Sequence, residues 1–339
     1  MIKQSPLPSE LAPLFPVSDV LMIRPSQFEL NNQTSESNAF IGMDVEEAQK
    51  KALEEFDDVV TTLREYGVQV VLINDSEAPH TPDAVFPTWV TFHYQHKGSA
   101  LLYPMMAENR RLERRRDVLS HLSSKYDFHF ENIYDLSPLE SDGEFLEGMG
   151  SLVLDRINHT AYANLSPRTT LEAIGRFSQY LDYKVIILQA CDSSGAPIYH
   201  TNLLMSVCKD FAVICDEAIS NSQSRNMVLD RLKETEREII SISREQMHNF
   251  AGNIIQLRNK DGEKFVIMSE RAYMSLRADQ IKIFANYGKV VSVSIPTIEN
   301  VAGAGVGALI NPICLPQKKT ARSPRKIAKP RAKAKTPSL

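Results

Sequence analysis

Five helix-to-strand junctions recur along the chain at nearly even intervals, and this periodicity limits the fold more than any other feature. The first amphipathic helix ends in LREYG (63–67), where Gly67 fits a C-cap, and leads into VQVVLI (68–73). Equivalent junctions join NRRLERRRDVLSHLSSKY (109–126) to DFHFENIY (127–134), and RTTLEAIGRFSQYL (168–181) to YKVIIL (183–188). Two more join RNMVLDRLKET (225–235) to REIISI (237–242), and LRADQIKIFANYG (276–288) to KVVSVSI (289–295). The strands that follow the helices begin near 68, 127, 184, 238 and 290, a spacing of 59, 57, 54 and 52 residues. Repeats of this length are similar supersecondary units, none of which can bury its apolar face alone.

Further apolar runs fall between the helices. They are VLMIRP (20–25), WVTFH (89–93), ALLYP (100–104), SLVLDR (151–156), HTAYANL (159–165), NLLMSVC (202–208), FAVICD (211–216), NIIQL (253–257) and KFVIMS (264–269). Several lie two to a module, as hairpin pairs do. The predicted fold class is therefore α/β: five pseudo-symmetric ββαβ modules closing in a ring. A doubly wound nucleotide-binding fold is the competing architecture, but no GxGxxG or P-loop follows any of these strands.

Composition sets the outer limits. No apolar run among the 339 residues approaches the ~20 needed to span a bilayer. The opening MIKQSPLPSELAPLFP is broken by prolines and lacks the apolar stretch of a secretory signal, so a cytoplasmic location is expected. Cys191, Cys208, Cys215 and Cys314 form no CxxC pair and match no zinc spacing, so reduced thiols are expected, with no metal and no cofactor. Nine of the 38 Lys and Arg, and none of the 42 Asp and Glu, fall in 317–339, which leaves a body near −13. That segment is predicted to be a disordered basic tail. It is either simply solvated or in contact with an anionic partner: nucleic acid, a membrane surface or the acidic body. The expected organisation is an extension over 1–16, one body over 17–316, and the tail over 317–339.

Several short blocks in fixed order carry a family likeness. They are VLMIRP with FELNNQT (28–34), DAVFP (83–87), LYPMMAENRRLER (102–114), FLEGMGSLVLDR (145–156), YANLSPRT (162–169), PIYHTN (197–202), FAGN (250–253) and IEN (298–300). From Val20 to Pro316 the chain resembles the guanidino-group-modifying superfamily, whose five-fold ring of ββαβ units is the pentein fold. It is most similar to the citrulline-utilisation hydrolases and the amidinotransferases, with dimethylarginine dimethylaminohydrolase and arginine deiminase as relatives. The resemblance implies a small arginine- or citrulline-like ligand. It also implies chemistry in which a Cys thiolate attacks the guanidinium carbon, a His moves protons, and carboxylates clamp the planar cation.

On that resemblance His200 is the catalytic histidine, with Asn202 able to orient its ring, and Glu147 is the guanidinium carboxylate. Gly148 and Gly150 would allow close backbone approach beside Glu147. Arg168 and Arg110 bind the ligand's α-carboxylate, Asp83 its α-amino end, and Asn253 is a weaker ligand contact. For Arg110 a solvated helix face within RRLERRR is a strong alternative. Two departures from the family pattern stand out. IENVAGAGVGALINPICLP (298–316) aligns without a gap and puts Gly307 at the family's Arg and Ala308 at its nucleophilic Cys. After DAVFP the family has two Asn before the Trp, whereas this chain has only Thr88 before Trp89. Cys314 lies six residues beyond Ala308 and reads as a small buried hydrophobe. Two functions follow: a ring that binds an arginine- or citrulline-type ligand with its covalent chemistry impaired, or an active hydrolase of such C–N bonds, if Ala308 is an engineered change or another nucleophile substitutes.

Overall fold

The computed structural model describes residues 15–38, 40–41 and 47–317. The basic tail from Lys318 onward, and residues 1–14, lie outside the described residues. Each module converts its apolar pattern into the same small unit. In the first, the helix Ala48–Glu65 buries Ala52, Phe56, Val59, Val60 and Leu63, which is the spacing of one helical face. Gly67 comes next at φ +79°, a left-handed turn that releases the chain into a strand. Asp127, Asp182 and Glu236 hold the same backbone conformation at or just after the next three helices.

Fifteen strands form five three-stranded sheets among the described residues. Strand β1 (Asp19–Arg24) runs parallel to β2 (Gln69–Asn74). The second sheet contains β3 (Val90–His93), β4 (Ser99–Leu102) and β5 (Asn132–Asp135), and the third β6 (Leu152–Asp155), β7 (Thr160–Asn164) and β8 (Lys184–Leu188). The fourth contains β9 (Met205–Val207), β10 (Phe211–Ile214) and β11 (Glu238–Ser241), and the fifth β12 (Ile255–Arg258), β13 (Lys264–Ser269) and β14 (Lys289–Val293). In each of these four an antiparallel pair comes first, and a helix then crosses over to a parallel third strand. The first sheet has the same pattern, but its antiparallel strand is β15 (Asn311–Pro312), from the other end of the sequence. The fifteenth strand was not legible beforehand, because two paired residues carry no periodicity.

The expected helix over 109–126 is broken. Glu108–Arg111 and Arg116–Tyr126 are separate helices, and Arg115 between them is extended. The reason is polar. Arg110 and Glu113 turn inward and are each 3% exposed, so this stretch is not one solvated face. NLLMSVC is likewise divided into a short helix, Thr201–Leu204, and the strand β9.

This topology gathers one residue from each module. The antiparallel edge strands β3, β6, β9, β12 and β15 begin two to five residues after Thr88, Glu147, His200, Asn253 and Ala308 respectively. Asn311 joins the last of these strands to the second sheet by donating to the carbonyls of Pro87 and Val90 at 3.0 and 2.8 Å.

Candidate functional site

Glu147 is completely buried and stands at the start of the helical turn Gly148–Ser151. Its Oε2 is 2.8 Å from Nε2 of His200, 3.5 Å from Nη1 of Arg110 and 3.6 Å from Nη1 of Arg168. Its Oε1 accepts from the Met106 amide at 3.2 Å. The FLEGMG glycines make this possible. A Cβ on Gly150 would stand 2.5 Å from the His200 ring, and one on Gly148, at φ +44°, would stand 2.0 Å from the Thr88 carbonyl. Burial alone would raise the Glu147 pKa, but Arg168, the His200 hydrogen bond and Arg110 together hold it well below the usual carboxylate range. Burial lowers His200 to about 4 even though Glu147 pulls the other way, so the imidazole is neutral near pH 7.

Hydroxyl groups missed in the sequence hold these pieces in register. The Ser151 hydroxyl accepts from the Glu147 amide at 2.8 Å and donates to the Arg168 carbonyl at 2.9 Å. Thr169 Oγ1 donates to that same hydroxyl at 2.8 Å, and Thr201 Oγ1 donates to the Ser151 carbonyl at 2.6 Å. One serine and two threonines thus tie the Glu147, Arg168 and His200 segments together. Only their position beside FLEGMG, SPRT and YHTN could have marked them.

The two expected carboxylate-binding arginines differ. Arg110 has its fork matched by protein: Nε and Nη2 each donate to Glu113 at 3.0 Å, and Nη2 also reaches Phe86 O and Thr88 Oγ1. Burial disfavours its charge, but Glu113, Glu147 and Asp83 more than compensate and raise its pKa. Arg168 lies over the Tyr199 ring at 4.6 Å and donates to Ser37 Oγ and the Thr34 carbonyl. Asp83 accepts from Asn31 Nδ2 at 2.7 Å and Thr34 Oγ1 at 3.2 Å. The segment from Asn31 to Ser37 is therefore held by the very groups expected to hold a ligand's two ends.

Asn253 takes a different position from the other candidates. Its Nδ2 donates to the Asn202 carbonyl at 3.0 Å, and its Oδ1 accepts from the Ala308 amide at 3.1 Å. Both side-chain polar atoms hold backbone, so Asn253 supports the Ala308 loop from behind. Ala308 lines one cavity with Asp83, Thr88, Arg110, Arg168 and His200. That cavity measures about 20 Å³, room for roughly one water. Cys314 is buried elsewhere, against Arg156, and burial raises its pKa. No group of three or more His, Cys, Asp or Glu able to hold a metal occurs among the described residues.

The family described as N,N dimethylarginine dimethylhydrolase, eukaryotic, matches residues 24–315. The chain belongs to that family. It is thereby a member of the guanidino-group-modifying superfamily of mixed α/β proteins. No curated protein matches it in a direct sequence comparison. Among solved structures, ArgZ, an arginine dihydrolase from the ornithine-ammonia cycle in Cyanobacteria, superposes with a TM-score of 0.67 at 18% identity, over 89% of this chain. This chain spans 41% of the length of that ArgZ structure. The N-terminal domain of ArgZ, as a cysteine-to-serine mutant bound to substrate, gives 0.66 at 18% identity and covers 87% of this chain and 98% of its own. A cysteine-to-alanine mutant of AgrE in binary complex with L-arginine gives 0.68 at 18% identity over 90% of this chain and 41% of its own. A dimethylarginine dimethylaminohydrolase adduct with S-methyl-L-thiocitrulline gives 0.58 at 16% identity, over 87% of this chain and 98% of its own. At these identities the likeness establishes the shared fold.

Proposed function

We propose that this chain is a five-bladed pentein that binds an arginine-type amino acid and does not process it by the covalent route of its relatives. The observation that carries this reading is Ala308. It lines the same cavity as His200, Asp83 and Arg168 and has no nucleophile to offer. Closure of the sheets into a ring is supported by β15, which completes the first sheet from the far end of the sequence. Glu147, held ionised by its neighbours, favours a cationic guanidino group over a neutral ureido group. AgrE with cysteine replaced by alanine still forms a complex with L-arginine, so loss of the thiol is compatible with recognition on this fold.

Arg168 would face the α-carboxylate and Asp83 the α-amino group; Glu147, which does not itself line the cavity, would face the guanidinium once the site opens. Arg110 acts through Glu147 and Glu113, since its donors are already matched. A cavity of one water cannot admit an amino acid, so Thr34 and Ser37 must leave Arg168 before a ligand enters. A cytoplasmic location is part of this reading. The basic segment beyond residue 317 is proposed to contact an anionic partner. Titration calorimetry with L-arginine and L-citrulline tests the reading: saturable heat with arginine that disappears in Glu147→Gln is expected. Absence of heat with either amino acid would leave the fold without this ligand.

Membership of a hydrolase family favours a second reading, in which neutral His200 activates water directly against a guanidinium clamped by Glu147. Release of ammonia from arginine, abolished in His200→Ala, is its signature.

A further inference from the structure

A second cavity lies at the other ends of the edge strands, and none of its lining residues belongs to the Glu147–His200 site. It measures about 130 Å³ and is lined by the end of β6 (Asp155, Arg156), the end of β9 with the bend after it (Val207, Lys209), and the approach to β12. Arg237 also lines it. This side chain is buried, with Nη2 on Asp155 Oδ1 at 2.8 Å and Nε on the Cys208 carbonyl at 2.9 Å. Its Nη1 is buried and has no hydrogen-bond partner among the described residues. A buried guanidinium N–H left unmatched is costly, and in folded proteins such groups generally have a partner.

We propose that this cavity is a binding site for a small carboxylate with a short aliphatic tail. The electrostatics ask for an anion. Arg156, Arg237 and Lys209 carry three positive charges against one, Asp155, whose oxygens are already taken by Arg237 and by the backbone and side chain of Asn158. Arg156 reaches the Phe92 carbonyl through Nη1 at 2.8 Å and so contributes a fixed charge. The walls ask for a tail: Val17, Ile157, Ile254, Ile255 and Pro312 are apolar and would repel a fully hydrated ion such as phosphate. A carboxylate seated against Arg237 would give the buried, unpartnered Nη1 an acceptor while its carbons cover those walls. The strands β6, of four residues, and β9, of three, separate this cavity from Glu147 and His200 by roughly 10–13 Å at about 3.3 Å per residue, so the two sites are distinct.

Thermal melting and titration calorimetry on the full chain, with acetate, butyrate, butanol and inorganic phosphate as probes, decide this. Butyrate is expected to raise Tm by several degrees in a saturable way and to bind more tightly than acetate, with butanol and phosphate inactive. Arg237→Lys keeps the ion pair with Asp155 but loses the fork, and is expected to weaken butyrate roughly tenfold or more. Lys209→Glu, which leaves the core untouched, is expected to weaken it in the same direction. Equal stabilisation by butanol would reduce the cavity to an apolar void. Stabilisation by phosphate alone, no saturable heat with any carboxylate, or undiminished butyrate binding in both variants would each overturn the proposal.

Discussion

The site is built from two regions with opposite histories of demand on the sequence. Around Glu147 and His200, every residue expected from the family likeness is buried, charged or hydrogen-bonded, and is held by further hydroxyls. Around Ala308, the loop from Gly303 to Leu309 is apolar, and it is tethered by the side chain and carbonyl of Asn253 and by the Tyr199 hydroxyl on the Gly303 carbonyl. The first region belongs to the sheet of β6 to β8 and the turn before β9. The second leads into β15. On the proposed reading, electrostatic recognition and the position for covalent attack belong to different modules, so one can be lost while the other stays intact. The comparison also separates their energetics, since charge in a dry site is coupled to stability and an alanine is not.

The largest consequence concerns rate. Losing the nucleophile from a group that acts as a unit costs several orders of magnitude, so no meaningful release of ammonia or citrulline from arginine, citrulline or methylarginine is expected. Ala308→Cys alone is expected to restore little, because Gly307 and the one-residue Thr88 link also depart from the family pattern. Robust turnover that vanishes in His200→Ala would break the contrast between the regions. Turnover lost in Cys314→Ser would move the nucleophile to the other cavity.

Stability should divide the regions next. Glu147→Gln leaves Arg168 without its carboxylate in a buried setting and is expected to cost about 3–5 kcal/mol in urea unfolding. Ala308→Ser, at the edge of the cavity, is expected to stay within about 1 kcal/mol. Similar costs at the two positions would mean that Glu147 is not electrostatically coupled as its distances imply.

The pH dependence arises from the same cluster. His200 binds its proton near 6.5 when unfolded and only near 4 when folded, so the unfolded chain holds more protons between those values. Stability therefore falls as pH drops from about 6.5 to about 4, by roughly 3 kcal/mol from this group. His93 and His159 are also lowered, chiefly by burial. The readout is accordingly the difference between wild-type and His200→Gln unfolding curves. A difference that does not change over that pH range would place a charged imidazole in the folded site.

Much of this was legible in the sequence, and the reasons are specific. The five junctions were visible because helices and parallel strands each impose a period on apolar residues, and fourteen of the strands fell within or beside the runs they marked. Strand β15 was invisible because two residues have no period. Glu147, Arg168 and His200 were legible as members of motifs. Glu113 was not, because beside Arg110 in RRLERRR it has the spacing of an ordinary exposed i,i+3 pair, and only tertiary burial makes it a clamp. The Ser151, Thr169 and Thr201 hydroxyls leave no periodic trace at all. Their roles depend on three segments meeting.

A modest expected effect is the most direct probe of the Ala308 region. Asn253 accepts from the Ala308 amide and donates to the Asn202 carbonyl, while its own carbonyl receives the Gly307 amide at 3.3 Å. Asn253→Ala removes the two side-chain bonds and leaves the backbone one; the Ala308 amide keeps the Gly305 carbonyl at 3.1 Å, while the Asn202 carbonyl loses its donor. A cost of about 1–2 kcal/mol is expected from that loss. Arginine affinity should change by less than in Glu147→Gln, because the side chain supports the loop and does not face the cavity. Asn253→Asp is the informative companion: its carboxylate can still accept from Ala308 but cannot donate to Asn202. If Asn253→Ala abolished arginine binding while leaving stability unchanged, Asn253 would be a ligand contact, and the Ala308 loop would belong to recognition as fully as Glu147 does.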